Sequence, residues 1–219
     1  MAEKFEKPQK FTKAWWGYIG DYYKWPIILT LCAILGVCYY VYEKSTEIHP
    51  DIRFAMSGNI VLDPVAEDRF QEKLDGMVKD LNEDGKTKIA RPMYYIFLES
   101  THTGAEYQSA MSQRLSLELS SQETFLFVFD KSLGDHYINL PDSAFLKTEK
   151  WAGDLPEGQL LSDAYGRSYG VSLKDSRILK ECGIDGKDLY LMVRICAKNE
   201  PELKNKYEES LRIAKEIIK

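Results

Sequence analysis

Apolar residues fall into two regimes along this chain, and the change comes at residue 43. From Trp25 to Tyr42 there are 18 residues without a charge, bounded by Lys24 and by Glu43-Lys44. A helix rises ~1.5 Å per residue, so this run reaches ~27 Å, close to the ~30 Å hydrocarbon core of a bilayer. The pattern predicts a transmembrane helix over 25–43, a cytoplasmic tail over 1–24, a linker over 44–50 and one outer domain over 51–219. Just before the run, Phe11, Trp15, Tyr18 or Ile19, and Tyr22 recur at helical spacing, with Trp16, Tyr23 and Trp25 beside them. Tyr39, Tyr40 and Tyr42 mark its far end. Rings with polar edges settle at headgroup depth, so the two groups are expected to form aromatic belts, the first on a short interfacial helix.

Beyond residue 50 the period alternates between two and 3.6. Ile52, Phe54 and Met56 alternate with Arg53, Ala55 and Ser57, which predicts a strand over Ile52–Ser57. Asp63-Pro64 offers an N-cap followed by proline at the first helical position. Phe70, Leu74, Met77 and Leu81 then extend a helix over about 64–81. Met93–Leu98 and Phe125–Phe129 are short, wholly apolar runs, as expected of strands buried on both faces. Between them Tyr107, Met111, Leu115 and Leu119 place a helix at about 104–121. Leu189–Ile195 reads as a further strand, and 201–218 as a helix burying Leu203, Tyr207, Leu211, Ala214 and Ile218. Asn199 and Glu202 have the spacing of a capping box at its start. Residues 130–172, punctuated by Gly and Pro, keep no period. Alternating strands and helices predict an α/β class, a three-layer lobe around a mostly parallel sheet joined by right-handed crossovers.

Charge orients the membrane run. The tail carries five lysines against three acids, leaving 24 basic and 31 acidic residues beyond it. Lys and Arg resist translocation, so the N-terminus is expected in the cytoplasm and the C-terminal domain outside the cell. The run is expected to be an uncleaved signal anchor. More than 20 residues precede it, no A-x-A-like site follows it, and Leu31 and Val37 stand where a lipobox before Cys32 or Cys38 needs a small residue. An acidic outer domain argues against nucleic-acid binding, which needs clustered positive charge.

Candidate chemistry is sparse. Asp80-x-Asn82-x-Asp84-Gly85 has the first half of a calcium loop, but Arg91 stands at the twelfth position where a bidentate Glu belongs. The alternative is a turn that caps the helix. Ligands of open parallel sheets lie beyond the C-terminal strand ends. Those ends carry Ser57-Gly58-Asn59, Glu99-Ser100-Thr101-His102 and Asp130-Lys131, so Ser57, Asn59, Glu99, His102 and Asp130 are the candidate cleft residues. No enzyme signature is present: His49, His102 and His136 lack ligand spacing, and there is neither a phosphate-binding glycine loop nor a G-x-S-x-G elbow. Asp135-His136 reads as a surface turn. Cys182 and Cys196 are expected on the oxidising side, where a bridge between them would contribute ~3 kcal/mol; two separate thiols is the alternative.

Asp21-Tyr22-Tyr23-Lys24-Trp25, Asp80-Leu81-Asn82-Glu83-Asp84-Gly85 and Tyr169-Gly170-Val171-Ser172-Leu173 with Asp175-Ser176 resemble a group of single-pass membrane proteins of clostridia-like Gram-positive bacteria. The outer domain also resembles one lobe of the extracellular solute-binding proteins of ABC importers. This resemblance implies a strand-helix-strand-helix-strand opening and a Tyr-Gly segment that returns the chain to the sheet. It implies a binding or interaction module, with a small solute, a peptide or a membrane protein as partner. A structural or regulatory subunit of a membrane complex is the second expectation, and a cell-envelope enzyme the third.

Overall fold

The computed structural model describes residues 10–22, 24–46, 49–96, 104–140, 143–197 and 200–219, in two compact units, Met1–Ile48 and His49–Lys219. The first unit holds helix α1 (Lys13–Tyr22) and helix α2 (Lys24–Thr46). Thr12 starts α1 by accepting the Trp15 N–H on its Oγ1 at 3.3 Å. Pro26 lies in the first turn of α2, where a missing N–H breaks no helical bond. The stretch Lys24–Lys44 is long and apolar enough to cross a membrane, and none of it is buried.

The second unit runs β1 (Ile52–Ser57), α3 (Pro64–Met77), β2 (Ile89–Ala90), β3 (Met93–Tyr94), α4 (Ala105–Ser121), β4 (Thr124–Asp130), α5 (Lys131–Ile138), β5 (Leu160–Ser162), β6 (Ser168–Ser172), α6 (Arg177–Cys182), β7 (Leu189–Val193) and α7 (Pro201–Ile217). The strands order as β2-β1-β4-β7-β6-β5, with β3 also on β1. The sheet is mixed. β1 pairs in parallel with β2, β3 and β4, whereas β4–β7, β7–β6 and β6–β5 are antiparallel. The expected parallel core is therefore β1 with its neighbours, and the other half departs from it. A short turn joins β5 to β6, a connection that only antiparallel strands can use.

Helices cover both faces. Phe54, Leu126, Val128, Leu191 and Val193 pack with Phe70 and Leu74 of α3, Leu179 of α6, and Ile213 and Ile217 of α7. Ala55, Phe127, Phe129 and Met192 pack on the opposite face with Leu115 of α4 and with Leu133 and Ile138 of α5. β4 lies between β1 and β7, and its residues Thr124–Phe129 are all buried, the reason for its unbroken apolar run. A register shift beside Arg53 leaves Phe125 as a bulge, its ring 5.3 Å from that of Tyr207 on α7.

Several expected boundaries move. Helix α3 stops at Met77 rather than 81, because α7 takes over the groups that end it. Glu209 accepts the Lys79 N–H at 2.9 Å, and Arg212 donates to the Met77 carbonyl. The same pair turns α7 so that Ser210, Ile213, Ala214 and Ile217 form its buried side, with Tyr207, Leu211 and Ile218 packed at the edge. Glu200 is the N-cap residue of α7, and Asn199 of the expected capping box lies outside the described residues. Asp135 and His136 belong to α5, not to a surface turn; Asp130 starts that helix by accepting the Leu133 N–H.

Candidate functional site

The C-terminal ends of β1 and β4 meet through Asp130. Its Oδ2 accepts the Asn59 N–H at 2.6 Å, while its Oδ1 accepts the Leu133 N–H at 2.8 Å and the Ser132 hydroxyl at 3.1 Å. One carboxylate thus ties the exit of β1 to the start of α5. Gly58 makes this approach feasible: its φ is +126°, and a Cβ there would lie 2.5 Å from the Asp130 Cγ.

Around this junction lies a cleft of about 420 Å³, lined by Asn59, Ile60, Asp63, Asp130, Ile184, Asp185, Lys187 and Asp188 among others. Each wall has its own local cause. Asp63 starts α3, its Oδ2 accepting the N–H groups of Val65 and Ala66 at 3.1 and 3.4 Å. The loop from Gly183 to Leu189 forms the opposite wall. It presses so closely on the end of β6 that a Cβ at Gly186 would lie 2.2 Å from the Leu173 carbonyl oxygen. Asp185 braces it by accepting the Lys187 N–H at 3.0 Å. Four aspartates against one lysine make the cleft acidic, over an apolar floor that includes Ile60, Ile184 and Leu189.

Of the expected cleft residues, Asn59 and Asp130 line this cleft and touch each other. Ser57 does not line it: its buried hydroxyl donates to the Tyr94 carbonyl at 2.9 Å, tying β1 to β3. Glu99 and His102 lie outside the described residues. Asp63 was legible as a cap but not as a wall. The 183–189 loop had only its Asp-Gly-Lys-Asp turn chemistry as a signal.

Asp80, Asn82 and Asp84 come together in one turn, each with one oxygen turned to the backbone. Asp80 Oδ2 accepts the Gly85 N–H at 2.8 Å, Asn82 Oδ1 the Asp84 N–H at 3.0 Å, and Asp84 Oδ1 the Lys86 N–H at 2.8 Å. Fully buried Asp51 holds the same turn through the N–H groups of Leu81 and Asn82 at 2.7 and 3.4 Å, and also takes the Lys88 N–H at 2.9 Å. Calcium takes six to eight oxygens converging on one point, and in this turn Asp80 Oδ1 is buried without a hydrogen-bond partner. Among the described residues no three His, Cys, Asp or Glu side chains are grouped to hold a metal. Cys182 and Cys196 are not bridged: Cys182 is buried in the core beside α3, and burial pushes its thiol pKa up.

A second polar cluster, unforeseen from sequence, lies near the opposite end of the strands. Glu118 of α4 receives two hydrogen bonds from Arg53, at 2.8 and 3.1 Å, one from the Tyr94 hydroxyl at 3.0 Å, and one from the Thr124 hydroxyl. Burial alone would raise the Glu118 pKa, but the bonds from Arg53, Thr124 and Tyr94 outweigh it and hold it below the ordinary carboxylate value. Burial, then the bond to Glu118, pushes the Tyr94 phenol up to about 12. The partners of Glu118 are 65, 24 and 6 residues away in sequence, separations that no local pattern announces.

Compared with protein-family models, with curated proteins and with solved structures, the chain matches none.

Proposed function

We propose that the chain is a membrane-anchored binding module, with α2 crossing the bilayer, the N-terminus in the cytoplasm and the domain from His49 onward outside the cell. The observation that carries this is α2, apolar along Lys24–Lys44 and buried nowhere. The core helix of a soluble domain would be covered; this one needs a solvent of lipid tails. In the domain, the acidic cleft at the ends of β1 and β4 is where an open α/β sheet receives its ligand. A solute or peptide bearing a positive or hydrogen-bond-donating group fits its aspartates. The domain would then serve as a single solute-binding-like lobe beside a transporter, holding its ligand without closure of a second lobe.

A second reading, a regulatory or structural subunit that binds no small molecule, draws on a specific observation. Asp63, Asp130 and Asp185 all have oxygens engaged by backbone N–H groups. Thermal unfolding of the full-length protein in detergent, against sugars, cationic peptides and calcium, separates the two. A ligand of the cleft raises stability by RT ln(1 + [L]/Kd), about 2.7 kcal/mol at 100 times Kd, and Asp188→Ala weakens the effect. A flat response across the panel, with membrane proteins co-purifying, supports the subunit reading. Protease added to intact cells tests the topology: the domain is expected to be degraded, and its protection would reverse the orientation.

A further inference from the structure

Far from the cleft in sequence, three aromatic rings stand together at the start of α1. Phe11 is 78% exposed and Trp16 59% exposed, and the Trp15 ring touches both, with centroids 5.2 Å from Phe11 and 5.0 Å from Trp16. Phe11 has φ +65°, a left-handed conformation that costs an L-residue energy. It immediately precedes Thr12, the residue that caps α1, so this backbone folds its ring back onto the first helical turn. Strain is thus accepted to build an aromatic patch whose Phe11 and Trp16 rings the described residues leave exposed. Lys10 and Lys13 flank Phe11 in sequence, Lys24 opens α2 two residues after α1 ends, and all three are exposed.

We propose that α1 is a second anchor, lying in the membrane plane and seating Phe11, Trp15 and Trp16 among the headgroups of an anionic leaflet, with Lys10, Lys13 and Lys24 on lipid phosphates. The inference rests on the reading of α2 as the span, and it names the lipid chemistry that α1 selects. The partner is lipid because α1 leads within two residues into the apolar helix α2, and because its chemistry matches the layering of a leaflet. Ammonium groups suit the phosphates, and aromatic rings suit the boundary beneath them. Juxtamembrane lysines add attraction that only acidic lipids supply.

The test uses the full-length protein in phosphatidylcholine vesicles with or without phosphatidylglycerol, their acyl chains brominated either near the headgroup or near the bilayer centre. The variant Trp25→Phe/Trp151→Phe leaves Trp15 and Trp16 as the only indoles. Shallow bromines are expected to quench them more than deep ones, and quenching should grow with phosphatidylglycerol. Lys10→Gln/Lys13→Gln/Lys24→Gln should abolish that growth, and Phe11→Ala should reduce the shallow quenching. Unquenched emission in both lipids overturns the proposal. Quenching indifferent to phosphatidylglycerol overturns the selection of acidic lipid. A companion variant, Trp15→Phe/Trp16→Phe/Trp151→Phe, reports on Trp25 alone. If Trp25 is quenched while Trp15 and Trp16 are not, the second anchor fails and the span survives; if neither is quenched, both fail. Should loss of buried Trp151 impair folding, the difference between wild type and Trp15→Phe/Trp16→Phe gives the same readout.

Discussion

Glu118 is a carboxylate made tolerable inside a domain by the donors around it. Its side chain is only 9% exposed, and that of Arg53 is 33% exposed. Removing one partner of a fully buried pair costs about 3–5 kcal/mol, so with Arg53 partly solvated Glu118→Ala is expected to cost about 2–3 kcal/mol in urea unfolding. Tyr94→Phe should cost about 1 kcal/mol by the same measurement, since it removes a single hydrogen bond. The folded-state pKa of Glu118 is depressed, so its stabilisation is complete above the unfolded value and is lost as pH falls through the folded one. Urea midpoints of the wild type should therefore drop on acidification below the ordinary carboxylate range, more steeply than those of Glu118→Gln. Gly58 makes a second prediction at this scale. Gly58→Ala combines a positive φ with overlap of the Asp130 carboxylate, and should destabilise by about 2–4 kcal/mol. In the Asp130→Ala background the cost should shrink, because the overlap with the carboxylate is gone while the 3.0 Å contact with the residue 130 Cβ and the backbone strain stay. The bend at Gly58 is legible as a glycine after a strand, but its reason, a side chain 72 residues away, is not.

Most elements were legible because their period is local. β1 falls on its expected residues, and α4 and β4 lie within a residue of theirs at each end. Boundaries moved where distant groups supplied the capping bonds, as when Glu209 and Arg212 of α7 end α3. Glu209→Ala should leave the Lys79 N–H without its acceptor and cost about 1–3 kcal/mol, with faster amide exchange at Lys79. Exchange unchanged at Lys79 would show that this bond does not hold the end of α3. The resemblance has the Tyr169-Gly170 segment, now β6, return the chain to the sheet, but periodicity alone left β5 and β6 unread for a different reason. Three- and five-residue strands among glycines offer too few positions for a period to register, and pairing with β7 is what selects them.

For the whole molecule, α2 is long and apolar enough to cross a membrane, and the ends of β1 and β4 meet at the cleft. Replacing Leu35 with Asp puts a charge in the middle of an apolar helix, a change worth roughly 2.5–3.5 kcal/mol against insertion. The variant is expected to shift toward the soluble fraction after carbonate extraction, while the wild type stays with membranes. By itself the sequence determined the apolar helix, the charge imbalance across it, the α/β class and the positions of the long helices and of β1 and β4. These follow from composition and from periods read within one segment. Tertiary structure decided the antiparallel half of the sheet, the C-terminal end of α3, the burial of Ser57, and the meeting of Asp63, Asp130 and Asp188 around one cleft. Each of these joins residues far apart in the chain, and hydrogen bonds and packing across such separations leave no periodic trace along it.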